Sequence, residues 1–335
     1  MASRRRWLMP AALVGALTVL ALASLALGSA PLSPAEVISG LLTGEGVPGV
    51  ILRDIRLPRT LLALLVGATL GLSGAALQGL LRNPLADPAL FGAPQAAALG
   101  AVLVIYSGLA GTLSLALPAA AVVGALASVA LVVTVAGRDP GITVLLLAGL
   151  AVSSLAGAGT SAALSLSSNP YALTEIVFWL LGSFEDRSFA HLFLAAPFAL
   201  AGGAVILMQG EALRALTLGE DTARSLGVEV RRVRLALVGA VAVAVGGCVA
   251  VSGAIGFVGL VAPHLVRNAV GADPRAVLVP AALAGAALTL AADIVARIIP
   301  AGTELKVGAV TAMLGVPFFL WIVARRRDLF AGTAG

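Results

Sequence analysis

Hydrophobic positions along this chain fall into long apolar runs separated by short polar breaks. Ten runs read as membrane-crossing helices, at residues 7–28, 60–81, 90–107, 112–136, 142–166, 190–209, 233–252, 255–269, 276–297 and 308–324. The third and eighth are short. Prolines interrupt or adjoin both: Pro84, Pro88 and Pro94 around the third, Pro263 inside the eighth. One break is unlike the others. Gly210 to Arg234 reads GEALRALTLGEDTARSLGVEVRRVR and holds five arginines and four acids. A hydrated segment of that size between apolar runs predicts a surface that touches something in the water.

Composition sharpens the class. The chain is 60% hydrophobic and only 11% charged, with 39 glycines among 335 residues. Too little polar surface is available to cover a soluble globule, since soluble domains run at about 25% charged. Lipid offers no partner to open backbone groups, so the expectation is an all-α polytopic membrane protein, residues 1–335 forming a single transmembrane domain. Abundant glycine suits close helix–helix packing. The first run follows Arg4-Arg5-Arg6 and is read as an uncleaved span rather than a signal peptide, because it is long enough to cross. The lone Cys248 lies in an apolar run and has no intrachain partner for a disulfide.

Charge orients the spans. With the N-terminus in the cytoplasm, 15 of the 21 basic residues fall inside and 6 outside, the outer set being Arg53, Arg56, Arg59, Arg187, Arg297 and Lys306. Both termini and the polar segment are then cytoplasmic. This bias accounts for the net charge of +5 without invoking nucleic acid. A faint repeat accompanies it. Arg59, Leu65 to Ala68 and Gly74 recur 172 residues on as Arg231, Leu237 to Ala240 and Gly246. The first copy starts outside and the second inside, which predicts inverted repeats over spans two to five and seven to ten.

Several chemistries are missing. No Gly-x-x-x-x-Gly-Lys-Ser/Thr phosphate loop occurs, and the single lysine is Lys306. One cysteine and two histidines, His191 and His264, make no zinc-type cluster. Asp293 is the main acid within a span; Arg297, four residues on, shares its helix face, which reads as a local ion pair rather than a proton site.

Six segments then carry a resemblance: Arg56-Leu57-Pro58-Arg59 with Asn83-Pro84-Leu85-Ala86-Asp87-Pro88; Trp179 to Ser183; Gly219 to Gly227; Gly256 to His264; Ala292 to Arg297; and Glu304 to Gly308 with Gly315 to Phe319. In order and in one register from about residue 50 to 325, they resemble the FecCD permease family of ABC importers, which carry ferric siderophores, haem and cobalamin. The resemblance implies ten spans and a pair of permease subunits, expected here as a homodimer. It also implies two cytoplasmic ATPase subunits that bind the ATP and Mg, an extracytoplasmic binding protein, and a bacterial inner-membrane location with lipid around the chain. The chain itself would hold no cofactor or metal and do no covalent chemistry. The cargo expected from the motifs is a ferric siderophore, then haem or cobalamin. The rival reading is a secondary transporter driven by an ion gradient, which calls for an intramembrane acid or unwound ion site.

The resemblance also gives residues roles. The loop 210–232 would couple to the ATPase through Gly219, Glu220, Asp221, Ala223, Arg224, Leu226 and Gly227. The residues agree on their own terms. Glu220 and Asp221 suit the first turn of a short helix, Arg224 stands one turn on, and Gly219 and Gly227 bracket it. Arg56, Arg59 and Arg297 would pair with glutamates of the binding protein, or serve interfacial anchoring and the Asp293 pair. The inner gate would involve Asn83 and Leu85 with the start of span five, Ile142 and Thr143. Pathway lining would come from Ser153, Ser154, Thr160 and Ser161, residues equally suited to helix packing. His264 is read as a structural residue near the cytoplasmic end, not a haem ligand.

Overall fold

The computed structural model describes residues 2–28, 30, 32–109, 116–137, 141–299 and 304–325. Arg138, Arg326 and Arg327, used above for orientation, lie outside the described residues, as do the side chains of Arg4, Arg5, Arg6 and Arg325. The described residues are helical with no strand. The helices are α1 (Ala2–Ala26), α2 (Pro34–Thr43), α3 (Gly46–Val50), α4 (Leu57–Leu80), α5 (Ala93–Tyr106), α6 (Ala116–Ala136), α7 (Ile142–Leu166), α8 (Pro170–Leu180), α9 (Phe189–Met208), α10 (Gly210–Leu216), α11 (Glu220–Ser225), α12 (Val230–Ser252), α13 (Val258–Val270), α14 (Pro274–Ile298) and α15 (Val307–Arg325). A π-helical turn (Ile51–Arg56) runs into α4, and a 3-10 turn (Pro88–Phe91) precedes α5.

Each of the ten predicted spans has its helix. Seven helical stretches are long and apolar enough to cross a membrane alone. The short ones are α5, α13 and α15. At 1.5 Å per residue the 13 residues of α13 rise about 20 Å, less than the roughly 30 Å apolar layer. The segment Gly253–Phe257 continues its path, and Gly253 and Ile255 within it are buried. Non-helical backbone at that depth is tolerated when protein covers it.

The two halves mirror each other. α4 packs on α13 and α14, while α12 packs on α5 and α6. α5 and α13 each begin after a residue in the left-handed region, Gly92 (φ 75°) and Phe257 (φ 67°). They start 165 residues apart, at 93 and 258, as do α7 and α15, at 142 and 307. The earlier offset of 172 shrinks because twelve residues follow α4 but five follow α12. α4 and α12 also run in opposite directions. Arg59 starts α4 at the Asp293 end, whereas α12 starts beside α11 at the other end. These are inverted repeats.

The centre of the bundle is the α4–α14 crossing, where backbones touch. A Cβ at Gly71 would strike the Ala281 carbonyl oxygen, and one at Gly285 the carbonyl oxygen of Gly67. Only glycine permits that approach, and the contact energy there is dispersion between backbones rather than side-chain burial.

Helices α2 and α8, with the five-residue α3, were not anticipated. α2 and α8 are 10 and 11 residues, too short to cross, and lie where loops were expected. Ser33 and Glu36 form a capping box at α2, and Asn169 caps α8 by accepting from Tyr171 N; each helix has proline at its first position.

Candidate functional sites at the two ends of the bundle

The residues predicted to lie outside gather at one end. Asp293, on α14, has no exposed surface. Arg59, on α4, donates to its Oδ1 from Nε and Nη2 at 3.0 and 2.9 Å, and from Nη2 to Glu304 at 2.9 Å. Arg297 pairs with Asp293 Oδ2 at 2.9 Å and donates to Ser24 Oγ at 2.6 Å. Ser24 Oγ in turn lies 2.7 Å from Thr60 Oγ1. Arg56 donates to the carbonyls of Leu25 and Ala26 at 2.8 Å, and also to Ala30, closing the open C-terminus of α1.

This arrangement changes the reading of Arg56, Arg59 and Arg297. They were expected to present guanidinium groups to a partner's carboxylates. Arg56 and Arg59 are 4% and 6% exposed, and all three are directed at internal acceptors. Isolated buried charge is too costly to leave unpaired, so the chain supplies its own carboxylates. The Asp293–Arg297 pair read from helix spacing is present, joined by Arg59 from 234 residues away.

The residues predicted to lie inside gather at the opposite end. Arg275 pairs with Glu211 across α14 and α10, and Arg214 reaches Asp273 at 3.6 Å. Between α10 and α12 stands α11. Gly219 holds φ 103° and ψ 155° just before it, a conformation essentially confined to glycine, and Gly227 holds φ 85° just after. Glu220 and Asp221 occupy the first turn, and Arg224 reaches both, at 3.3 and 2.8 Å. Arg234 of α12 also pairs with Glu220, fixing α11 to the next helix. Asp221, Arg224, Leu226 and Gly227 are exposed, as is Leu218 at 63%. Ala223 is the exception. It was expected to offer an apolar contact to a partner, but it is fully buried, so its methyl seats α11 instead.

The gate residues stand in two groups. Asn83 Oδ1 accepts from Leu85 N at 2.9 Å, an Asx turn that shapes the link between α4 and α5. Ile142 and Thr143 open α7. The Pro88–Phe91 turn meets α7 further along, where a Cβ at Gly149 would strike the Leu90 carbonyl and Ser153 Oγ donates to Ala89 O at 3.4 Å. Of the expected lining residues, Ser153 is thus engaged by that turn. Thr160 borders a cavity of about 200 Å³ with Pro94, Gln95 and Leu180. Ser154 and Ser161 are exposed on α7, along with Leu147, Leu150 and Leu155.

The sequence reading missed a cavity of about 700 Å³ at the arginine-cluster end, walled by α8 residues Tyr171, Phe178 and Trp179 and by Arg187 and Lys306. Lys306 pairs with Glu185, its ammonium 5.1 Å from the Phe178 ring centroid. Burial lowers the pKa of Arg187 from its usual value. The available signal was the i, i+3, i+4, i+7 spacing that puts Tyr171, Thr174, Glu175 and Phe178 on one helical face. His264 packs its ring edge-on against Phe318, with centroids 5.6 Å apart.

A family model described as the FecCD transport family matches residues 16–325. The chain belongs to the FecCD transport family. Members are membrane-spanning transport subunits, not enzymes. The hemin transport system permease protein HmuU of Yersinia pestis is 42% identical over 283 residues, 83% of this chain and 84% of that one. The vitamin B12 import system permease protein BtuC of Klebsiella pneumoniae is 38% identical over 323 residues, 96% of this chain and 95% of that one. Among solved structures, an inward-facing conformation assigned to the metal-chelate type of ABC transporter superposes with a TM-score of 0.84 at 33% identity, covering 94% of this chain and 98% of that one. The FecCD assignment fits the ten helices and their two-ended distribution of charge.

Proposed function

We propose that this chain is the permease subunit of an ABC importer for a bulky metal chelate, set in the inner membrane with both termini cytoplasmic. The observation that carries the reading is α11: a short helix bracketed by Gly219 and Gly227, standing proud of the bundle with Asp221, Leu218 and Leu226 exposed. Two ATPase subunits that hold ATP and Mg would receive this helix, and loop 210–232 would transmit their closure to α9 and α12. A binding protein would deliver cargo at the arginine-cluster end. The chain would work as a homodimer, with the exposed face of α7 (Leu147, Leu150, Ser154, Ser161) turned to its copy and to the passage. The gate and lining roles of Asn83, Leu85, Ile142, Thr143, Ser153 and Thr160 belong to that passage. Small hydroxyls give a wall with no strong trap, which allows cargo to leave.

The cargo is inferred from likeness. HmuU is a hemin transport permease and BtuC a vitamin B12 import permease, which supports haem first and cobalamin second. The ferric siderophore expected from the motifs stands third. The ion-driven alternative gains no support from Asp293, which is bound between two arginines. Reconstituted vesicles containing the chain, its ATPase and its binding protein test the reading. ATP-dependent uptake of haem, lost on deleting Glu220 to Leu226, is the expected result. Uptake that survives the deletion, or needs an ion gradient and no ATP, overturns it.

A further inference from the structure

α2 faces the wrong way for a helix packed on a protein. At 100° per residue, Val37, Ile38, Leu41 and Leu42 fall within one arc of about 140°, and Glu36, Ser39, Gly40 and Thr43 lie opposite. A surface helix normally turns its apolar arc inward. Here the buried residue is Gly40, on the polar arc, where an added Cβ would come 2.8 Å from Leu52 Cδ1 and 2.9 Å from Pro48. The other fastening is also polar. Arg53 Nη2 donates to the carbonyls of Leu41 and Leu42 at 2.7 and 2.9 Å. So α2 is held by its bare edge and its C-terminus, and its apolar side is left outward. Ile38 is 61% exposed and Leu42 76%, and the surface continues over Val47 (71%), Val50 (52%) and Ile55 (54%).

The level of α2 says what covers this surface. It is tied to Arg53, and Arg56, three residues on, donates to Leu25 and Ala26 at the end of α1. α1 crosses the bilayer, and its own exposed side chains, Val19 at 67% and Leu22 at 61%, face lipid. α2 packs on α1 where that span leaves the apolar layer. At that depth an amphipathic helix meets acyl chains on one side and headgroups on the other.

We propose that α2 lies in the bilayer boundary at the arginine-cluster end, with Ile38 and Leu42 among lipid acyl chains and Glu36, Ser39 and Thr43 among headgroups. It is a lipid-bound outrigger. Through Arg53 and the π-helical turn Ile51–Arg56 it sets the depth of the chain that carries Arg56 and Arg59. The inference rests on the membrane-spanning family, not on cargo or coupling, so it stands or falls separately from the proposed transport.

The test uses the full chain in lipid vesicles. Cys248, the sole cysteine, is replaced (Cys248→Ala), and nitroxide labels are placed singly by Ile38→Cys, Leu42→Cys, Glu36→Cys and Ser39→Cys. Collision with oxygen, which partitions into lipid, is compared with collision with a water-soluble nickel chelate. The oxygen-to-nickel ratio is expected to be higher at 38 and 42 than at 36 and 39 by about threefold or more. Equal ratios at the four sites overturn the proposal in favour of a water-facing helix. Labels at 38 and 42 that are immobilised and reached by neither agent overturn it in favour of a protein partner or a second copy. The unsubstituted chain, irradiated with a lipid bearing a photoreactive group in its acyl chain, gives a second reading free of folding defects. Adducts at Ile38, Leu42 or Val47 are expected, and their absence while α1 is labelled contradicts the proposal.

Discussion

At the end where α1, α4 and α14 meet, Asp293 is fully buried between Arg59 and Arg297. At the opposite end Asp221 is fully exposed beside Arg224. The two clusters use the same side-chain types at similar separations, 2.9 and 2.8 Å, with opposite physical meaning. In the first, the charges are removed from water and depend on each other, so losing one leaves the rest stranded. In the second, water screens the Arg224 pairs, which add little to stability, and only the buried Arg234 ties Glu220 to the bundle. Buried charge here fastens helices. Exposed charge shapes a surface left open to water.

The largest expected effect comes from breaking the buried cluster. Asp293→Ala strands two arginines and is expected to cost about 3–5 kcal/mol, read as a fall in melting temperature of the purified subunit. A melt unchanged from wild type would show that water already reaches Asp293. Next is a charge reversal made on each side of the burial boundary. Arg59→Glu sets a third carboxylate beside Asp293 and Glu304 and should abolish stable expression. Arg53→Glu, on an exposed residue six positions earlier, should leave the subunit folded while loosening α2. If both variants express alike, Arg59 is not the fastening described. A smaller effect is expected for Thr60→Val, which removes the hydroxyl partner of Ser24 and should cost about 1 kcal/mol in the same melt. Smallest is Arg224→Ala. Its pairs are solvent-exposed, so the melt should not shift measurably, while ATP-dependent uptake falls.

The same contrast marks what could be read from the sequence. Helices α4, α7, α12 and α14 were legible because long apolar runs admit one solution in lipid. α11 was legible because glycines at 219 and 227 and acids in its first turn are local signals, complete within nine residues. The fastening of Arg59 was not legible. Its partners, Asp293 and Glu304, lie 234 and 245 residues away, and only the fold brings them near. Sequence placed Arg56 and Arg59 correctly at one end with Arg297, yet burial is a tertiary property and turned three expected docking groups into internal ties. Ala223 shows the reverse error at small scale, since on a six-residue helix a one-position change of face decides between contact and core. α2 and α8 were overlooked although their caps were present, because a search for 20-residue spans treats a 10-residue amphipathic helix as a loop.

The proposed coupling passes the force of ATP hydrolysis through α11 at the exposed end. Gly219→Arg probes it most directly. The position has no heavy atom within 4 Å of an added Cβ, so space is available, but φ 103° with ψ 155° is costly for any other residue, by about 1–3 kcal/mol, and α11 must re-aim. The measurement is the ratio of cargo imported to ATP hydrolysed in vesicles holding the complete transporter. The ratio is predicted to collapse in Gly219→Arg while hydrolysis continues and the subunit's melt stays close to wild type. An unchanged ratio would contradict the claim that coupling passes through this helix.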